Sequence, residues 1–128
     1  MMKRMWPALF SVVAITGLAG CGPQGGREDV SFKNQVQPIL KKYCADCHAA
    51  GGQGTQKSGF AVDSYQSLMK GTKFGAVIVP GSAVSSSLYR LVSGEVDPSI
   101  RMPHGKDTLP KTDVSLVEAW INQGARDN

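Results

Sequence analysis

Two thiols and an imidazole crowd one short stretch, Cys44-Ala45-Asp46-Cys47-His48. Cys44 and Cys47 are related as i, i+3, and Cys44 and His48 as i, i+4, so a helical turn brings all three to one face. That face suits two thioether bonds to neighbouring vinyl groups, with an imidazole beneath a metal. C-x-x-C-H is the attachment signature of a covalent haem. The expectation is one covalent haem c, bonded to Cys44 and Cys47, with His48 on the iron.

Other readings use the same residues. Cys44, Cys47, His48 and His104 add up to four possible zinc ligands. Against zinc, Cys47 and His48 are adjacent, whereas structural zinc pairs are usually spaced by several residues. A redox-active dithiol belongs in a βαβ setting, and no strand–helix alternation is visible. A C-x-x-C-H without a cofactor is the blank alternative.

The N-terminus reads as an export segment. Lys3 and Arg4 precede an apolar stretch from Met5 to Ala19, too short to span a bilayer. It ends in Leu18-Ala19-Gly20-Cys21, which resembles the bacterial lipoprotein box. Residues 1–20 are therefore expected to be a lipoprotein signal peptide, with Cys21 carrying the lipid; several acyl chains anchor firmly. The rival is an ordinary secretory signal with a chance cysteine. Of three cysteines, two go to the haem motif and the third to the lipid, leaving no free thiol in an oxidising compartment. The expected location is the bacterial cell envelope, lipid-anchored and facing the periplasm. Gly22, where an aspartate would favour the inner membrane in enteric bacteria, leans toward the outer membrane but leaves the choice open.

The remainder allows one small domain at residues 30–128 behind a glycine-containing linker at 21–29. Without Lys3 and Arg4, twelve basic residues face ten acidic ones, a net charge of +2. That is too mild to argue for nucleic acid, and no recognition motif points there. Lys57-Ser58 resembles the end of a phosphate-binding loop, but Gln56 stands where that motif needs glycine, so no nucleotide is expected. A haem would add a large apolar slab to a thin core, so the haem-free chain is expected to fold poorly.

Several elements must position these residues. Phe32, Val36, Leu40 and Tyr43 recur at helical spacing, with Phe32 and Tyr43 read as core. Pro38 should restart a helix that runs into the haem motif. Residues 51–59 are glycine-rich and read as a loop. Residues 63–70 predict a short helix capped by Asp63 or Ser64 and ended by Gly71. Val77 to Gly81 reads as extended chain packed near the haem. Residues 85–92 predict a helix with Leu88, Leu91 and Val92 inward. Residues 95–109 read as a loop. The last helix runs from about Pro110 to Gly124, with Val114, Val117 and Ile121 as its apolar line and Leu116 and Trp120 beside it.

Taken in order, these pieces resemble a class I monohaem cytochrome c of the planctomycete type. The resemblance rests on Val36-Gln37-Pro38-Ile39-Leu40, Cys44 to His48, Asp63-Ser64, Ile78-Val79-Pro80-Gly81, Ser87-Leu88, Met102-Pro103 and Trp120 to Ala125, over about residues 30–126. It implies an all-α cytochrome c fold of four to five short helices, with packed terminal helices and loops wrapping one haem. It also implies methionine as the second axial ligand. Met102 suits that role because a residue before proline is biased toward extended chain. The family's Met-Pro-Pro is Met-Pro-His here, so His104, at i, i+2 from Met102, is a rival ligand. Met69 reads as core or surface.

The leading functional expectation is a membrane-anchored electron carrier and not an enzyme. Both axial positions would be filled, and redox proteins would dock briefly at the haem edge. Lys41, Lys42, Lys57, Lys106 and Lys111 are the candidates for steering such partners. The alternatives are gas binding or peroxidase-like catalysis at an exchangeable axial site, and a subunit through which electrons enter a larger oxidoreductase.

Overall fold

Pro38 decides where the first regular helix begins. Ser31 opens the segment, its hydroxyl accepting from the Asn34 N–H at 3.2 Å. The backbone then runs through a π-helical turn, Phe32–Val36, and tightens into α1, Gln37–His48. Proline has no N–H to donate, so it fits only in the first turn of α1, where that donor has no intrahelical partner. The computed structural model describes residues 28–128. The expected signal segment at 1–20, Cys21 and most of the expected linker lie outside the described residues.

Four further helices follow: α2, Gln53–Ser58; α3, Tyr65–Lys70; α4, Ser87–Ser93; and α5, Lys111–Asn122. The fold is all-α, and among the described residues the only β-type pairing is an isolated bridge between Thr72 and Gly75. The expected caps form. Ser64 accepts from the Ser67 N–H at 3.1 Å, and Gly71 ends α3. Pro110 precedes α5, and Asp113 lies in its first turn, where a carboxylate suits the helix dipole.

The core is built where the two ends of the domain meet. Trp120 and Ile121 of α5, Val36 of the π turn and Leu68 of α3 are fully buried. The Phe32 ring lies 5.3 Å from those of both Trp120 and Tyr65. Polar atoms stitch the same region: Trp120 Nε1 donates to Arg126 O at 2.9 Å, and the Tyr65 hydroxyl to Ala125 O at 2.8 Å. The Val30 N–H donates to Gln123 Oε1 at 2.7 Å, and the Phe32 N–H to Asn128 Oδ1 at 2.9 Å. The terminal segments therefore hold each other, as the resemblance implied.

Two expectations need correction. Residues 53–58 are a helix within the stretch read as loop. Its support is polar and tertiary: the Ser58 hydroxyl donates to Gly54 O at 2.7 Å, Thr55 reaches back to Ala49 O at 2.9 Å, and Gly59 closes the helix at φ 78°. The inward face of α4 is wider than expected: Tyr89 is buried with Leu88 and Val92, while Leu91 is half-buried and faces a cavity. The 77–81 segment is neither helix nor strand: it bends at Val77 and turns at Pro80 and Gly81, and the Leu88 N–H on Val77 O at 3.0 Å ties it to α4. Ser86 Oγ accepts from the Val79 N–H at 2.8 Å. No helix of the described residues is long and apolar enough to cross a membrane.

Candidate functional site

The last turn of α1 presents Cys44, Cys47 and His48 together, all half-buried. His48 Nδ1 lies 3.2 Å from Phe60 O. With its proton on Nδ1, the ring donates there and leaves the Nε2 lone pair free for a metal. The Phe60 ring packs edge-on against the imidazole, centroids 5.2 Å apart. The Val62 N–H also donates to His48 O at 2.8 Å, so the chain after α2 is bound to the histidine at backbone and side chain.

Helix α2 presses on the imidazole because Gly54 has no side chain. A Cβ there would sit 2.7 Å from His48 Cε1 and 2.9 Å from Nδ1, closer than non-bonded atoms tolerate. One face of the ring is thus fixed by α2 and Phe60.

The open side of these residues is a cleft with two lobes of cavity that share lining residues. The larger, about 330 Å³, is lined by Tyr43, Cys44, Cys47, His48, Met102 and His104, among others. The smaller, about 130 Å³, is walled by Phe60, Val77, Leu88, Leu91 and Val92. Cys44, His48, Ser58 and Met102 line both. Burial, reinforced by the neighbouring Cys47 and opposed by Lys106, pushes the Cys44 thiol up to about 11.

Met102 belongs to the loop between α4 and α5. Its N–H donates to Leu91 O at 3.0 Å, and its half-buried side chain packs against the core. His104 lines only the larger lobe and is exposed. Met69 packs partly buried against the core and lines neither lobe. Lys106, two residues beyond His104, pairs with Asp46 at 2.7 Å. All five candidate lysines are exposed, and Lys57 and Lys106 stand at the rim of the larger lobe.

Two free thiols, an imidazole with an available nitrogen, a thioether on the same cleft and an apolar interior fit a covalently held haem. They do not fit zinc: among the described residues no three His, Cys, Asp or Glu side chains gather to hold a metal ion. Lys57-Ser58 lies inside α2, not in a loop ahead of a helix, which removes the phosphate-binding resemblance.

Residues 44–105 match the family model described as Planctomycete cytochrome C. This match supports a planctomycete-type cytochrome c domain. The match begins at the first thiol of the haem motif and runs past Met102-Pro103, so it covers most of the cleft lining and α2 to α4. This cytochrome is a haem-binding protein of the c type, a class whose work is electron transfer. No curated protein and no solved structure matches the chain. The Phe60 carbonyl, the Gly54 contact and the Asp46–Lys106 pair of this cytochrome were not expected from the sequence. Only the run of glycines hinted at a close backbone approach.

Proposed function

We propose that this cytochrome is a lipid-anchored carrier of single electrons, with one haem bonded to Cys44 and Cys47 and ligated axially by His48 and Met102. One observation carries the ligand assignment: His48 and Met102 line both lobes of a cleft that also exposes Cys44. Bound haem would supply the one-electron ferric–ferrous couple, and a thioether ligand would hold its potential above that of a bis-histidine site. The residues of the chain orient His48, exclude water from the apolar lobes and leave Lys57 at the rim for a redox partner, Lys106 being paired there with Asp46. Anchoring through Cys21 and a periplasm-facing position in the cell envelope are supported by the Leu18-Ala19-Gly20-Cys21 sequence.

A second reading has His104 as ligand, or an exchangeable site, because His104 shares the larger lobe with Met102. Absorption spectra of the full chain, matured with haem and taken oxidised and reduced into the near infrared, separate the two. Sharp c-type bands with a weak sulfur-to-iron band support His48–Met102 ligation. Loss of that band, or carbon monoxide binding to the untreated ferrous protein, supports the second reading. Mass spectrometry of membrane-extracted protein tests the lipid on Cys21 and the count of one haem.

A further inference from the structure

The Phe60 carbonyl receives two side-chain donors. His48 Nδ1 lies 3.2 Å from it and Thr55 Oγ1 2.9 Å. We infer that Thr55 is a positioning residue that tunes the axial histidine by sharing its hydrogen-bond acceptor. The inference rests on His48 ligating the iron, as proposed above.

A carbonyl oxygen has two lone pairs and can accept both bonds. The two bonds still compete, because each draws on the same oxygen's electron density. The shorter Thr55 bond leaves the imidazole with the longer, weaker one. How strongly a ligating imidazole donates through its other ring nitrogen sets its basicity toward the metal. A weakened donation makes His48 a poorer electron donor and favours the ferrous state.

The chain is anchored on both sides of this carbonyl, and beyond it the Val62 N–H donates to His48 O at 2.8 Å. The Phe60 N–H donates to Ser58 Oγ at 3.1 Å, and Ser58 donates in turn to Gly54 O at 2.7 Å. The N–H and the C=O of Phe60 thus each meet a hydroxyl of α2. Thr55 has one alternative acceptor, Ala49 O, also at 2.9 Å. Its single proton serves one carbonyl at a time, so the effect on His48 scales with the time spent on Phe60.

The test uses the full, haem-loaded chain. Thr55→Val keeps the shape and removes the donor; Thr55→Ala is a second donor-free variant should valine fold poorly; Thr55→Ser keeps the donor. Reduction potential is measured together with the His48 ring N–H resonance of the ferrous protein. The expected result is a negative shift in potential and a downfield, slower-exchanging N–H in the donor-free variants, with serine close to the parent. An unchanged potential and resonance in the donor-free variants overturn the inference and assign the Thr55 proton to Ala49 O. A serine variant that shifts as far as valine also overturns it, since packing then matters and donation does not. The ferric parent reports separately on ligation: without hyperfine-shifted His48 ring protons, the axial assignment itself fails, whatever Thr55 does.

Discussion

Lys106 Nζ lies 2.7 Å from Asp46 Oδ2, and this pair joins the loop that carries Met102 to the turn that carries Cys44, Cys47 and His48. Between Gly94 and Pro110 the loop's other hydrogen bonds to a helix are those of the Met102 N–H to Leu91 O and of the Glu95 N–H to Ser93 Oγ, both on the neighbouring α4. Both charged side chains are at least half exposed, so the pair contributes little to global stability. Its effect is local, on where the loop rests.

The pair sets a pH window. Hydrogen bonding and charge from Lys106 hold the Asp46 carboxyl below its ordinary range, and Asp46 in the same way holds the Lys106 ammonium above its own. A depressed carboxylate stabilises above its unfolded pKa, about 3.9, and that contribution is lost as pH falls through the lower folded value. A raised ammonium stabilises below its unfolded pKa, about 10.4, and that contribution is lost as pH rises through the higher folded value. Following the Asp46 carboxyl by NMR should show its midpoint return to the ordinary range in Lys106→Ala, with the melting temperature nearly unchanged. A midpoint that stays low would mean another group holds Asp46.

Met102→Ala should abolish the sulfur-to-iron band and lower the reduction potential, because the stronger thioether effect on the ferrous state is gone. His104→Ala should retain both. The reverse pattern would transfer the ligand role to His104.

Gly54→Ala should destabilise the haem-loaded protein by about 1–3 kcal/mol, the usual range for forced overpacking. The added Cβ meets the His48 ring at 2.7 Å and Cys47 O at 2.8 Å, so the strain falls on the ligand itself. Denaturant titration gives the energy, and broadened or shifted haem bands would locate it. A variant with parental stability and spectrum would mean that α2 moves aside freely.

These two predictions mark the boundary of what the chain discloses before folding. The haem turn, Pro38 at the start of α1, the Ser64 cap and the Pro110-to-Gly124 helix were legible because each has a local cause in residue type and spacing. Helix α2 was not, since Gln53-Gly54-Thr55-Gln56-Lys57-Ser58 has no apolar face for periodicity to reveal. It is held by hydroxyls bonding to backbone and by contact with His48, which are properties of the assembled site. The acceptor for His48 was equally hidden, because a main-chain carbonyl leaves no mark in a sequence.

Trp120→Ala should cost about 3–5 kcal/mol in denaturant unfolding, as large aromatic truncations in a core do. Trp120 is 1 % exposed, stacks near Phe32 and donates to Arg126 O. A cost below about 1 kcal/mol would show that the terminal segments are not the stabilising centre of the fold.

The Cys44→Ser/Cys47→Ser chain, made without haem, should lose cooperative melting, since the apolar cleft then has nothing to fill it. Calorimetry and near-ultraviolet dichroism measure this. A sharp transition would mean that the core around Trp120 folds by itself.

The seam at the domain's ends has a mechanical meaning. Asp29 pairs with Arg126 at 2.7 Å, Val30 bonds to Gln123, and Phe32 to Asn128. Tension on the chain ahead of Glu28 would therefore enter through the C-terminal segment, as shear across several polar links. None of these residues lines either lobe of the cleft. Such a load would be spent at the seam before it reached His48 or Met102, leaving the cleft undistorted under strain.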